Sequence, residues 1–412
     1  MNITDMFCRM NCYGMVEDEN DIWFSWATAN GVCRIDKVSG KAELLEYFED
    51  YSWNQGNLYH SIQKAGDQIV FVPSLAESIA VYDVWQKKIS YISLQAVDGT
   101  GRKETYPGIK FWSSILYGSF VYMFGYSYPA ILKLNVETKE VKYLTDWVEK
   151  IEKRIVKTTD SRGYFLEGTV FSHYAFIPCG CTNAVLKLNL LTDQTEVIDL
   201  DTSVDGFGGI AFDGEDFWLV GRGKNSNCLI CWNEGNYRLK EAVVGSFNEE
   251  YDGNTFWEPV CQNGVVYLFP LIDGDIYKAD KQNGSVEISI CEDFKCSSAD
   301  RQCQMSDGVM RPHLYREKIR FVTCHDFIWH EYDVKTRALQ SREIRFEFSK
   351  KMIREKLLEL FSAPLMDAKW CAYQDDKLPL SVYLNCIVEY SGLLKNFGSG
   401  KSVGTHIWER LK

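Results

Sequence analysis

One short phrase returns seven times along the chain. It is an alternating run that ends in Asp or Asn: GVCRID (31–36), SIAVYD (78–83), AILKLN (130–135), AVLKLN (184–189), CLICWN (228–233), DIYKAD (275–280) and IWHEYD (328–333). The closing residues Asp36, Asp83, Asn135, Asn189, Asn233, Asp280 and Asp333 lie 44 to 54 residues apart. Turns such as DKVSGKAE, NVETKEVK and NLLTDQTE follow, rich in Asp, Asn, Thr and Gly. Those side chains hydrogen-bond their own backbone or accept positive φ, so each turn joins two strands. A more apolar run precedes each phrase: DIWFSW, QIVFVP, FVYMFG, HYAFIP, DFWLVG, VVYLFP and KIRFVT. One further strand stands before each of these, across a short turn such as Asp213-Gly214-Glu215-Asp216.

Four strands per repeat and seven repeats, from Cys12 to about Phe346, predict an all-β chain: a seven-bladed β-propeller of four-stranded blades. A pair of β-sandwiches also has regular short strands, but seven copies of one four-strand grammar do not fit it. The repeat overrides length, since 412 residues alone would suggest about three domains. Aromatic residues make up 14% and prolines number 9, which favours strands over helices. The expected division is a propeller over 1–348 and a helical C-terminal extension over 349–412 that packs on it. Ser349 is placed to cap a helix over 350–361, whose apolar residues fall in one stripe, and a second helix is expected over 381–396. Blades 1 and 7 each own four strands, so closure by a borrowed strand is not evident. The ring is expected to close by packing at the seam or through the first residues and the tail.

The formal charge of −12 argues against nucleic acid or an anionic membrane surface as the main partner. Residues 1–20 show no basic start followed by an apolar core, and no run approaches ~18 apolar residues, so a cytoplasmic location is expected. The 14 cysteines are then expected to be mostly thiols, behaving when buried as small hydrophobes.

The repeated phrase, apolar–x–apolar–Asp/Asn–x–x–Thr/Ser–x–x–Val, resembles the blade consensus of kelch-like propellers, streptogramin-lyase-like propellers and related bacterial repeat proteins. The resemblance covers residues 12 to 346 and implies the architecture. The glycine pair of kelch second strands is missing, because the runs here end VP, FG, IP, VG and FP. The Trp-Asp ending of WD40 blades is missing too. No catalytic residue is carried over.

By analogy with the fold, ligands meet the central channel and the face built by second-to-third loops and inter-blade loops. Aligning the repeats puts Tyr13, His60, Ser113, Glu167, Gly208, Glu258 and Pro312 at the starts of the innermost strands. Neighbours include Tyr59, Trp112, Phe207, Trp257 and Arg311, and His325 lies in the last second-to-third loop. The candidate ligand-binding set is therefore Tyr59, His60, Trp112, Ser113, Glu167, Trp257, Glu258, Arg311 and His325. Aromatic planes beside carboxylates and an arginine suit a carbohydrate or a peptide: rings stack on apolar faces while charges fix orientation. A His and a Glu meeting there could also serve as base and acid, as in some propeller lyases.

Other patterns carry less. Gly400-Lys401-Ser402 lacks the leading glycine of a phosphate loop, since position 395 is Lys395. Cys291, Cys296 and Cys303, with Cys324 and His325, do not have a standard zinc spacing. Cys179-Gly180-Cys181 is too tight for easy pairing, and Asp273 and Asp275 read as a turn. No cofactor and no metal is expected. The sequence reading is a non-enzymatic propeller that binds a ligand or protein partner on its loop face and channel mouth. The alternative is a propeller lyase or hydrolase acting on a glycan or peptide there.

Overall fold

The computed structural model describes residues 14–26, 30–49, 57–97, 109–155, 163–223, 225–236, 238–244, 255–271, 275–282, 285–294, 309–323 and 328–346. His325 and both expected tail helices lie outside the described residues.

Seven antiparallel sheets follow one another along the chain. Blade 1 holds β1 (Met15–Glu17), β2 (Asp21–Trp26), β3 (Gly31–Asp36) and β4 (Lys41–Tyr47). Blade 2 holds β5 (Tyr59–Ala65), β6 (Gln68–Pro73), β7 (Ser78–Asp83) and β8 (Lys88–Ser93). Blade 3 holds β9 (Phe111–Tyr117), β10 (Phe120–Gly125), β11 (Ile131–Asn135) and β12 (Val141–Leu144). Blade 4 holds β13 (Thr169–Phe171), β14 (Tyr174–Pro178), β15 (Ala184–Asn189) and β16 (Thr195–Asp199). Blade 5 holds β17 (Gly206–Phe212), β18 (Phe217–Arg222), β19 (Cys228–Asn233) and β20 (Arg238–Val243). Blade 6 holds β21 (Val260–Gln262), β22 (Val265–Leu268), β23 (Tyr277–Gln282) and β24 (Ser285–Ile290). Blade 7 holds β25 (Val309–Tyr315), β26 (Lys318–Thr323), β27 (Ile328–Asp333) and β28 (Ala338–Glu343).

The second strands are apolar at nearly every position because both faces of each blade are covered by neighbours. In β10, Tyr122 and Phe124 pack with blade 4, whereas Val121 and Met123 pack with blade 2. In β18, Phe217 and Leu219 face blade 4, and Trp218 and Val220 face blade 6. The core is therefore a circle of inter-blade clusters, and the outer strands β8, β20 and β28 carry the exposed alternation.

The landmark Asp or Asn has a local physical cause. Asn135 Oδ1 accepts the amides of Glu137 and Thr138 at 2.9 and 3.1 Å, and Asn189 Oδ1 those of Leu191 and Thr192 at the same distances. Asp333 and Asp83 repeat the pattern on their own turns. Four residues after the landmark the backbone turns left-handed: Gly40, Lys87, Lys139, Asp193 and Arg337 have φ of 72°, 51°, 64°, 62° and 57°.

The ring does close by strand addition. A two-residue strand, β29 (Arg345–Phe346), leaves blade 7 and pairs in parallel with β4, making blade 1 five-stranded. Its reach across the seam is too short to register as a repeat in the sequence. At the inner side of the same seam the Glu17 carboxylate, only 3% exposed, meets His313 Nε2 at 2.9 Å together with Lys37 and Arg320. A second unforeseen element is α1 (Val148–Glu152), a single turn whose Ile151 packs with the fully buried Trp147 between blades 3 and 4. The described cysteines, Cys179 and Cys181 included, are not joined in disulfides. Cys296, Cys303, Cys324 and Asp273 lie outside the described residues.

Candidate functional site

The inner strands of blades 2 to 7 each carry one residue more than the partner at the same place. In blade 2, Tyr59 pairs with Pro73 and Ser61 with Val72, so His60 is extra. In blade 3, Phe111 pairs with Gly125 and Ser113 with Phe124, which leaves Trp112. In blade 5 the extra residue is Gly208, between the pairs Phe207–Gly221 and Gly209–Val220. In blade 7, Arg311 and Pro312 stand against one residue, between Met310–Val322 and His313–Arg320. Blade 4 runs from the bridge Phe165–Cys179 to Thr169–Phe176, placing three residues around Glu167 against two. Blade 6 does the same around Glu258, from Phe256–Pro270 to Val260–Tyr267. A bulge bends its strand and re-aims a side chain. Here it acts on His60, Trp112, Glu167, Glu258 and Arg311, the polar and aromatic members of the candidate set.

Three of these meet. Arg311 Nη2 pairs with the Glu167 carboxylate and its Nε lies 3.7 Å from Glu258 Oε1, so one guanidinium joins blade 7 to blades 4 and 6. These side chains are 11%, 16% and 17% exposed, which leaves them largely desolvated yet reachable. Arg311 holds φ at +32°, a strained value for a residue with a Cβ. Backbone contacts fix the carboxylates. Ile210 N donates to Glu167 O at 3.2 Å, and a Cβ on Gly209 would lie 2.7 Å from Glu258 Cα, so only glycine lets blades 5 and 6 approach this closely.

Burial pushes the Glu167 carboxyl up to about 7; Arg311 opposes the rise and Glu258 adds to it. Burial, and then the Arg311 charge, hold the His60 ring well below its ordinary 6.5, so it is neutral at pH 7. Its ring centre lies 4.1 Å from that of Trp112, and Trp112 lies 5.4 Å from Tyr126 of the blade 3 loop. A neutral imidazole, a carboxyl near its midpoint, a second carboxyl and an aromatic wall thus share one neighbourhood.

The other members of the set are placed differently. Tyr59 is 1% exposed and packs on Phe48 and Phe71 in the core between blades 1 and 2. Ser113 is fully buried and donates to Leu166 O at 2.6 Å, tying blade 3 to blade 4. Trp257 gives its Nε1–H to Val309 O at 2.8 Å and joins the core between blades 6 and 7. The ladder pairs Ser113 in the register of Ser61, which puts Trp112 level with His60. Two groups at this face were not singled out from sequence: Tyr126 and Arg222, the latter closing β18 just after a run that reads as a plain core strand. Among the described residues, no group of three His, Cys, Asp or Glu side chains is arranged to hold a metal ion, and no helix is long and apolar enough to cross a membrane.

No family model and no curated protein matches the sequence. Solved structures do resemble the fold. The virginiamycin B lyase of Staphylococcus aureus is 13% identical with a TM-score of 0.55, covering 79% of this chain and 95% of that one. A catalytically inactive His-to-Ala form of it, with quinupristin, matches at 13% identity and a TM-score of 0.54, again over 79% and 95%. The WD40 repeats of RRP9 match at 8% identity and a TM-score of 0.52, over 76% and 88%. At such identities the likeness is one of fold, and by fold this chain is a seven-bladed β-propeller.

Proposed function

We propose that the chain is a binding propeller whose ligand sits at the channel mouth, on His60, Trp112, Glu167, Glu258 and Arg311. The observation that carries this reading is the cross-channel group itself: a strained arginine shared by two carboxylates from separate blades, each on a bulge. Strained backbone and a carboxyl pushed toward neutrality cluster at sites rather than in plain scaffold. Arg311 is already matched by carboxylates and His60 is neutral, so the pocket is close to charge balance. It suits a peptide or carbohydrate that offers hydroxyl, amide or amine groups to the carboxylates and an apolar face to Trp112. A soluble, cytoplasmic setting with a protein partner or such a ligand fits this use, and the net charge of −12 weighs against nucleic acid.

The test is to probe peptide and glycan arrays with the full chain and with Arg311→Met and Glu167→Gln. Binding that is lost in Arg311→Met, with an unchanged melting temperature, supports the mouth as the site. Binding that survives both changes places it elsewhere.

One observation favours a second reading, in which the mouth is catalytic. A carboxyl near 7 and a neutral imidazole, both close to Arg311, are matched to proton transfer at physiological pH. The lyase likeness adds a chemistry class but no residue. Incubating an array hit with the protein and following its mass separates the two: conversion lost in Glu167→Gln is catalysis, and an unchanged mass is binding.

A further inference from the structure

Arg222 ends β18 on the mouth face, where loops of blades 3, 4 and 5 converge. It is 8% exposed. Its Nη2 donates to Tyr126 Oη at 2.9 Å, and the guanidinium carbon lies 5.7 Å from the centre of that ring. Nε and Nη1 are buried and reach no acceptor, and no carboxylate pairs with the group among the described residues. Arg311 and Arg320, with side chains of comparable burial, each hold carboxylates. Arg222 is the exception to that pattern.

A guanidinium kept from water without a counter-charge is costly, and it has no escape by losing its proton. The surrounding backbone is shaped around Arg222 by glycines. A Cβ on Gly180 would lie 2.8 Å from Arg222 Nη1 and 2.8 Å from Gly163 O. One on Gly206 would lie 2.4 Å from Gly180 O, and one on Gly163 would lie 2.3 Å from the Tyr126 ring. The fold thus crowds three glycines around a positive charge that no described carboxylate pairs with. Tyr126 then connects that charge, through Trp112, to His60.

We propose that Arg222 is the receptor for a carboxylate of the mouth ligand, which makes that ligand an acidic peptide or a peptide with a free C-terminus. The inference rests on the channel-mouth reading above. A carboxylate meeting the guanidinium edge-on, beside the Tyr126 hydroxyl on Nη2, supplies an acceptor to one of the two donors that lack one. The two ends of the site then select opposite features: Arg222 an anionic group, and Glu167 with Glu258 an amide or ammonium.

The experiment uses the full chain and three small probes at constant ionic strength: N-acetyl-tryptophan, its amide, and succinate. Tryptophan-free succinate separates a side-chain-like dicarboxylate from a chain terminus. Binding is read by thermal shift and calorimetry. The expected result is saturable binding of at least one carboxylate probe, with the amide weaker. Arg222→Met should cost about tenfold to a hundredfold in the carboxylate's affinity, the range for a charged hydrogen bond. It should also melt no lower than the wild type without ligand, because it removes an unpaired buried charge. Carboxylate effects no larger than those of chloride overturn the proposal. So does an Arg222→Met protein that melts several degrees lower, or equal binding of acid and amide by wild type and variant. If Arg311→Met abolishes binding while Arg222→Met changes nothing, only this inference fails. If neither variant matters, the mouth reading fails with it.

Discussion

At neutral pH the Glu167 carboxyl sits near its midpoint and the His60 ring is uncharged, and burial is the first cause of both shifts. Their effects on stability have opposite signs. Glu167 titrates higher in the folded chain than its ordinary 4.5, so its contribution is fully present below 4.5 and is lost as pH rises through about 7. His60 titrates lower than 6.5 when folded, so its contribution is present above 6.5 and is lost as pH falls below that. We expect wild type to lose ground against Glu167→Gln between pH 5 and pH 8, by on the order of 1–3 kcal/mol in urea unfolding. Against His60→Phe it should lose ground in the other direction, from pH 7 down to pH 5. A second contrast separates two aspartates in the same kind of turn. Asp213 accepts the amides of Glu215 and Asp216 at 2.8 Å each and Trp218 Nε1–H at 2.7 Å, and Asp18 makes the matching bonds to Asn20, Asp21 and Trp23. The Asp213 side chain is 4% exposed and that of Asp18 is 30% exposed, so water can replace the lost bonds only at Asp18. Asp213→Ala should cost about 2–4 kcal/mol and Asp18→Ala about 1–2 kcal/mol, measured by chemical denaturation.

The elements separate what could be read from the sequence and what could not. The landmark Asp or Asn is legible because its reason is local: one side chain and the amides two and three residues on. The apolar second strands are legible because each is clamped between two blades. The bulges are not, since an extra residue exists only relative to a partner strand and changes no composition. That is why the repeat alignment sets Ser113 against His60, where the ladder places Trp112. Strand β29 and helix α1 are two and five residues long, too short for any period to show. Arg222 was hidden by its strand, which reads as core until the last position. Hairpins supply a prediction at this scale. In blade 7 the turn from β25 to β26 puts Arg316 and Glu317 at φ of 48° and 69°, a conformation that favours Asn-Gly. Exchanging the pair for Asn-Gly should stabilise the chain by up to about 1 kcal/mol, less whatever the exposed bridges from Arg316 to Glu19 and from Glu317 to Lys335 contribute. A melting temperature below wild type would count against the assignment of strain there.

The whole ring depends on its seam. Gly40 has φ of 72°, and a Cβ there would meet Glu343 O at 2.7 Å, so the close approach of blade 7 to blade 1 needs glycine twice over. Arg345 N donates to Gly40 O at 2.9 Å, a bond that proline would remove. We expect Gly40→Ala and Arg345→Pro each to cost about 1–3 kcal/mol and to raise hydrogen exchange first in β4 and β28. Loss of protection that begins instead in blades 3 to 5 would place the weak point elsewhere. Glu17 adds a constraint in time. Its partners His313 and Arg320 come 296 and 303 residues later in the chain. At about 5–20 residues per second of synthesis, blade 1 waits roughly 15–60 s with its outer edge bare and this carboxylate in water. The first blade to be made is therefore the last to be finished, and a ribosome-bound chain halted before residue 345 presents an open ring with one unpaired edge to whatever is nearby.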